Sequence, residues 1–270
     1  MSSRFIPFHV PSYDGIAALQ KDTVQFVDET WCALLARSDD EISSPRFTAH
    51  DLSIIGDDNQ FYHRLSHSLS SSALDRVGGK PSCEKLAQTL SKISKHNDAE
   101  LAALNIFYAD IDVAISSSNA DSFVTCLERL VSNLLDTDMR IRTTPSIILP
   151  DRKGVGWQCV PAIEVTPRLR ELHRYAAAHA SQSPLQTAIV ALVMISCIHP
   201  FMDGNGRVSR VVFHAILRKC GVSEKFYVPL KSFYVQSDYG FEIRLRQTFL
   251  SSDWNQITRY FCDVLHAFVY

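Results

Sequence analysis

Along most of this chain the hydrophobic positions recur at the three- and four-residue spacing of a helix. One run stands apart. Leu185–Ile198 (LQTAIVALVMISCI) is almost wholly apolar and contains no Gly or Pro. It falls short of the roughly 20 residues that a bilayer span needs, so it predicts a helix buried on all sides within a globular domain. Amphipathic helices are predicted before it. Gln20–Ala36 puts Val24, Val27, Trp31, Leu34 and Leu35 on one face, and Cys83–Lys95 does the same with Leu86, Leu90 and Ile93. Ala99–Ile115 follows, then Asp121–Leu135 with Phe123, Leu127, Leu130, Val131 and Leu134 in register. Thr166-Pro167 predicts a helix start, Thr at the cap and Pro in the first turn, with Leu169, Leu172 and Ala176 facing inward. After the apolar run, Gly206–Lys219 carries Val208, Val211, Val212, Ile216 and Leu217 at helical spacing and stops at Cys220-Gly221. Gln60–Leu74, Asp238–Leu250 and a last segment capped by Asp253-Trp254 and ending at Val269 complete the helices.

Only Arg140–Val160 departs from this period. Ile147-Ile148-Leu149, a turn at Pro150–Gly154 and Val155–Val160 outline a short hairpin. The fold class is therefore all-α with one β-hairpin. Residues 99–270 are expected to form the domain that carries the chemistry, and residues 1–98 a helical extension of unknown function packed on it.

Composition narrows the function classes. At 270 residues, 46% hydrophobic and 21% charged, the chain is long enough for a sizeable core. A net charge of −2 points to no polyelectrolyte partner, so neither nucleic acid nor membrane is expected. The seven cysteines are scattered, with no C-x-x-C pair, as free thiols in a reducing compartment would be. No secretory h-region is visible, and the expected location is cytoplasmic, with delivery into a host cell as an effector as a variant. His63 and His67 have an i,i+4 metal-ligand spacing but no third ligand, and a partly exposed helix face is the better reading. His173 is read as a packing or solvated residue.

The chemistry is concentrated in His199-Pro200-Phe201-Met202-Asp203-Gly204-Asn205-Gly206-Arg207-Val208-Ser209-Arg210. Pro200 disfavours helix at the residue before it, which leaves His199 at the mouth of the buried helix. His199 is a base that can be neutral at pH 7. Gly204-Asn205-Gly206 runs into a helix start, where backbone N–H groups and the helix dipole favour phosphate. Arg207 and Arg210, three apart, share a helical face beside that anion site, and their guanidinium forks suit phosphate oxygens. Asp203 is a hard oxygen ligand where Mg²⁺ would sit with a nucleotide. Phe201 is the apolar anchor of the loop.

This stretch matches HPFx(D/E)GNGRxxR at every fixed position, and the chain thereby resembles the Fic-domain family. The resemblance implies a Fic-type helical bundle in which the hairpin at 145–160 is a flap over the active site that holds a target segment by backbone pairing. It implies a protein adenylyltransferase: AMP passes from ATP to a Ser, Thr or Tyr hydroxyl of a target protein, pyrophosphate leaves, and Mg²⁺ accompanies the ATP. His199 would be the catalytic base, Asp203 the metal ligand, and Gly204, Asn205, Gly206, Arg207 and Arg210 the phosphate-binding residues, with Arg210 on the γ-phosphate. Tyr239, with Tyr234 as alternative, would wall the base pocket. Relatives transfer UMP, phosphocholine or phosphate instead, and a non-catalytic nucleotide-binding module is the reading from another class. Gly206 stands where kinase-like relatives carry lysine, which favours nucleotidyl transfer. Many members are restrained by a glutamate in (S/T)xxxE(G/N) that pairs with the second arginine. No glutamate here has that context. Three possibilities follow: no brake, an antitoxin-like inhibitor acting in trans, or a divergent internal acid such as Glu29 or Glu41.

Overall fold

The computed structural model describes residues 4–7, 10–36, 83–148, 155–223, 226–236 and 240–269. The expected Gln60–Leu74 helix, His63, His67, Glu41 and Tyr239 lie outside the described residues.

At the centre is the apolar run, α6 (Pro184–Ile198), with every residue but Ser196 buried. Pro184 occupies the first turn, where its missing N–H has no acceptor to lose. Each fully buried Val, Leu or Ile in it contributes roughly 1.5–3 kcal/mol relative to exposure. α7 (Asn205–Lys219) packs back along it, and the pair forms the most extensive contact among the described elements. Around this pair lie α3 (Cys83–Ser116), α4 (Ala120–Leu135) and α5 (Ala162–His179). On the other side α2 (Lys21–Ala36) packs against α10 (Asn255–Val269), with α9 (Gly240–Ser251) against α10 and α8 (Leu230–Gln236) touching α3. A one-turn α1 (Asp14–Ala17) precedes α2.

Several boundaries differ from those predicted. The two segments Cys83–Lys95 and Ala99–Ile115 are one helix, α3, unbroken through residues 98 and 99, where the sequence divides extension from core. His96-Asn97-Asp98 interrupts the apolar pattern, but these are only weak helix formers and not breakers. α5 begins one turn before Thr166, so Pro167 lies inside it. The one hydrogen bond this forfeits would reach the carbonyl of Ile163, a residue 86% exposed, so water can replace it. On α2 the buried stripe is Thr23, Val27, Thr30 and Leu34, while Val24 and Leu35 are exposed. The two threonines sit at the i and i+7 positions of that face, and Thr30 satisfies its hydroxyl on the Phe26 carbonyl, which makes its burial cheap. On α4, Phe123, Leu127, Leu130, Val131 and Leu134 are buried, as their spacing requires.

The hairpin is present as β2 (Ile147–Ile148) and β3 (Val155–Gln158), antiparallel with Ile147 opposite Gln158 and Ile148 opposite Trp157. The sheet has a third member that the sequence does not announce. β1 (Arg4–Pro7) runs parallel to β3 on its far side, giving the order β1-β3-β2. A four-residue strand pairing over so long a separation leaves no local periodicity to find.

Candidate functional site

His199 is where α6 ends. Its backbone adopts φ 50, ψ 60, the left-handed region, so the chain turns sharply there instead of taking the extended form usual before proline. A residue with a Cβ pays about 1–2 kcal/mol for this conformation, so the surroundings must hold it. They do. His199 N–H donates to the Ile195 carbonyl at 3.0 Å, and the carbonyls of His199 and Pro200 are both taken by Arg142, from its Nε at 2.7 Å and its backbone N–H at 2.9 Å. The imidazole is mostly buried. Burial lowers its pKa below the ordinary histidine value; a hydrogen bond to the Ser196 backbone works the other way, as does nearby Asp203, while the Arg142 charge lowers it further. The ring is therefore neutral at pH 7, as a base must be.

The loop after it is tied to itself. Phe201 is fully buried. The Asn205 side chain accepts from Phe201 N–H at 2.9 Å and donates to Phe201 O at 2.8 Å. Both ends of the Asn205 amide group thus brace the loop, and its second Nδ2–H and its backbone N–H are what it can still offer an anion. Gly204 sits at φ 82 as the N-cap of α7, and a Cβ there would come within 2.8 Å of Val131 Cγ2. Val208 N–H makes the first helical bond, to Gly204 O, so the N–H groups of Asn205, Gly206 and Arg207 have no intrahelical acceptor. Asp203 accepts from Gly204 N–H at 2.6 Å and is 77% exposed at its side chain. Arg207 pairs loosely with Asp203 at 3.6 Å and donates to the Leu134 carbonyl at the end of α4. Among the described residues no three His, Cys, Asp or Glu cluster as a metal cage. One exposed carboxylate beside an anion site is nonetheless what Mg²⁺ needs when substrate phosphates and water supply the other ligands.

Arg210 departs most from expectation. It is buried, and its Nε donates to Glu100 Oε2 at 2.9 Å while Nη2 bonds Glu100 Oε1. Glu100, from α3, is fully buried, and the Tyr227 hydroxyl donates to the same carboxylate at 3.3 Å. The remaining corner of the guanidinium, Nη1, faces Gly206, where a Cβ would stand 3.2 Å from it. Thus Arg210 points at the glycine-bearing loop but is engaged by a carboxylate. Glu100, and not Glu29, holds this place; Glu41 lies outside the described residues. Glu100 escapes a sequence search because its helix carries His96 and Leu101 where the (S/T)xxxE(G/N) pattern has hydroxyl and small residues.

Behind Arg210, His214 is fully buried. Its Nδ1 donates to the Arg210 carbonyl at 2.7 Å and its Nε2 accepts from Val228 N–H at 3.0 Å, which fixes the tautomer. Burial pulls its pKa down to about 3. Tyr234 is no wall for a base. Its ring is buried and stacks on Phe241 at 3.9 Å with a 3° tilt, and the Arg210 guanidinium lies 5.9 Å from its centroid. An adenine would have to displace one of them. His173 is a packing residue, buried with its Nε2 3.1 Å from the Ala114 carbonyl.

Residues 124–217 match the model of the Fic/DOC family. No protein of curated function matches the chain significantly. The chain is similar in structure to a Fic family protein from Desulfovibrio desulfuricans, with 16% identity and a TM-score of 0.55 over 97% of this chain and 75% of that one. It is also similar to Fic-1 from C. elegans, with 15% identity and a TM-score of 0.53 over 94% and 72%. A Fic domain containing signaling protein from Bacteroides thetaiotaomicron matches with 14% identity and a TM-score of 0.50 over 91% and 93%. At these identities the likeness is one of fold. The family match, for its part, spans α4 through most of α7 and takes in the whole loop just described.

Proposed function

We propose, on the match of residues 124–217 to the Fic/DOC family, that the chain is a Fic-type protein adenylyltransferase acting on a Ser, Thr or Tyr hydroxyl of another protein. One observation carries the reading: a neutral imidazole at the end of the buried α6 lies one short loop from the amide-rich start of α7. A hydroxyl is a poor nucleophile until its proton is removed. His199 takes that proton as the oxygen attacks the α-phosphorus of ATP; the bond to the β-phosphate oxygen breaks and pyrophosphate leaves. The N–H groups at the start of α7 and the Arg207 fork stabilise the charge on the phosphates. Asp203 would hold Mg²⁺, which when bound neutralises charge on the leaving pyrophosphate.

The target segment is expected to add to the small sheet by backbone pairing. β3 is already paired on both sides, so the incoming strand adds at the outer edge of β2 or takes the place of β1. Glu100 supplies the restraint. With its carboxylate on Arg210, the γ-phosphate finds no free fork, and the enzyme is held back until Glu100 moves. This makes an inhibitor in trans unnecessary for the resting state.

The test is incubation with each nucleoside triphosphate in turn, with Mg²⁺, followed by intact-mass measurement of the protein and of candidate targets. ATP is expected to add one AMP unit to a protein hydroxyl. His199→Ala is expected to lose that addition while retaining ATP affinity. A His199→Ala variant that labels as well as the parent would remove His199 from the chemistry, and a gain of a different mass would reassign the transferred group.

A further inference from the structure

Arg142 is 3% exposed, and among the described residues no carboxylate pairs with it. Burying a guanidinium without an acid is costly unless every donor is used. Here the donors go to carbonyls drawn from three places. Nε reaches His199 O at 2.7 Å and Nη2 reaches Ile198 O at 3.3 Å, both at the C-terminal end of α6, where the helix dipole favours a cation. Nη2 also reaches Val160 O at 2.6 Å, just past β3, and Nη1 reaches Thr144 O at 3.1 Å, just before β2. The Arg142 N–H holds Pro200 O at 2.9 Å. One side chain thus joins both limbs of the hairpin to the carbonyl of the left-handed histidine.

We propose that Arg142 is a positioning residue for the base: its fork holds the His199 backbone in the turn that aims the imidazole, and registers the hairpin against it. This rests on reading His199 as the general base. The planar fork is essential, because an ammonium keeps the charge but cannot serve carbonyls spread over one plane. Charge and geometry can therefore be separated. Apart from Arg142, the charged group acting on the ring is Asp203, with the Ser196 backbone as its hydrogen-bond partner.

The experiment compares Arg142→Lys and Arg142→Gln with the parent, by kcat and KM for ATP and by NMR titration of the His199 ring. Both variants are expected to lose kcat on the order of 100-fold, as misplacement of a catalytic group by about an ångström does, with KM for ATP within about twofold. The His199 midpoint should rise in Arg142→Gln and stay near the parent value in Arg142→Lys. A purely structural role would instead lower thermal stability and leave kcat per folded molecule unchanged. A folded Arg142→Lys protein with parental kcat overturns the proposal. Should Arg142→Gln fail to fold, Arg142→Lys decides alone. If the parent transfers nothing, the functional reading fails, and the ring still decides: a His199 resonance and midpoint identical in all three proteins would dismiss Arg142 as its support.

Discussion

At the scale of single residues, the decisive contact is Glu100 on Arg210. Both are buried, so neither charge is screened by water, and removing one leaves the other exposed to the full cost of burial. Glu100→Gln is therefore expected to do two opposed things. It should destabilise the fold by about 3–5 kcal/mol, the usual cost of orphaning a buried charge. It should also free the arginine fork for the γ-phosphate, raising ATP affinity and AMP transfer by at least about tenfold, the effect of 1.4 kcal/mol in binding. Calorimetric titration with ATP and intact-mass labelling would measure both, and ATP should raise the melting temperature of Glu100→Gln more than that of the parent. An unaltered affinity would mean that the pair is structural and not a brake. The sequence shows Arg210 plainly but not its partner: α3 enters the site from more than a hundred residues upstream, and no local rule connects them.

At the scale of elements, the site is the junction of two helices, and Gly204 is where it is tightest. The left-handed backbone there costs a residue with a Cβ about 1–2 kcal/mol, and the added carbon also meets Val131 on α4. Gly204→Ala should lower stability by at least that amount in denaturant unfolding and tilt the start of α7 enough to weaken ATP binding. Pairing it with Val131→Ala removes the closest overlap but neither the tight approach to Leu135 at 3.3 Å nor the backbone cost, so the double variant should recover part of the loss. Equal stability of the single and double variants would contradict that account. The glycines of this loop were legible from sequence as a turn into a helix start. That the wall behind Gly204 is α4 was not, because it depends on where a second element stops; nor was the bracing of Phe201 by Asn205, which depends on how the loop itself folds back.

At the scale of the whole molecule, His214 links the motif helix to the segment leading into α8 and is neutral in the fold. Its folded pKa of about 3 lies below the usual 6.5, so the unfolded chain binds the extra proton first as pH falls. Stability from this group is fully present above pH 6.5 and is lost progressively from there toward pH 3, by a few kcal/mol in all. A plot of melting temperature against pH should fall across that window, and His214→Gln should flatten it. A parental slope in the variant would assign the acid sensitivity elsewhere. Catalysis should show the milder depression at His199 separately, as activity that holds through neutral pH and declines only below the ordinary histidine range. Among the described residues no helix is long and apolar enough to cross a membrane.

What the sequence determined by itself was everything that short-range periodicity and steric preference can encode. The buried α6 follows from an unbroken apolar run, the hairpin from β-branched residues around a turn, and the tight loop before α7 from glycines at a helix start. The tertiary structure alone decided which side chains remain available to a substrate. Arg210 is engaged by Glu100, Tyr234 is closed by Phe241, and Arg142, an unremarkable arginine in the sequence, becomes the clamp on His199. The reason is physical: a residue's chemistry belongs to it alone, whereas its partners and its exposure are set by segments that meet only when the chain has packed.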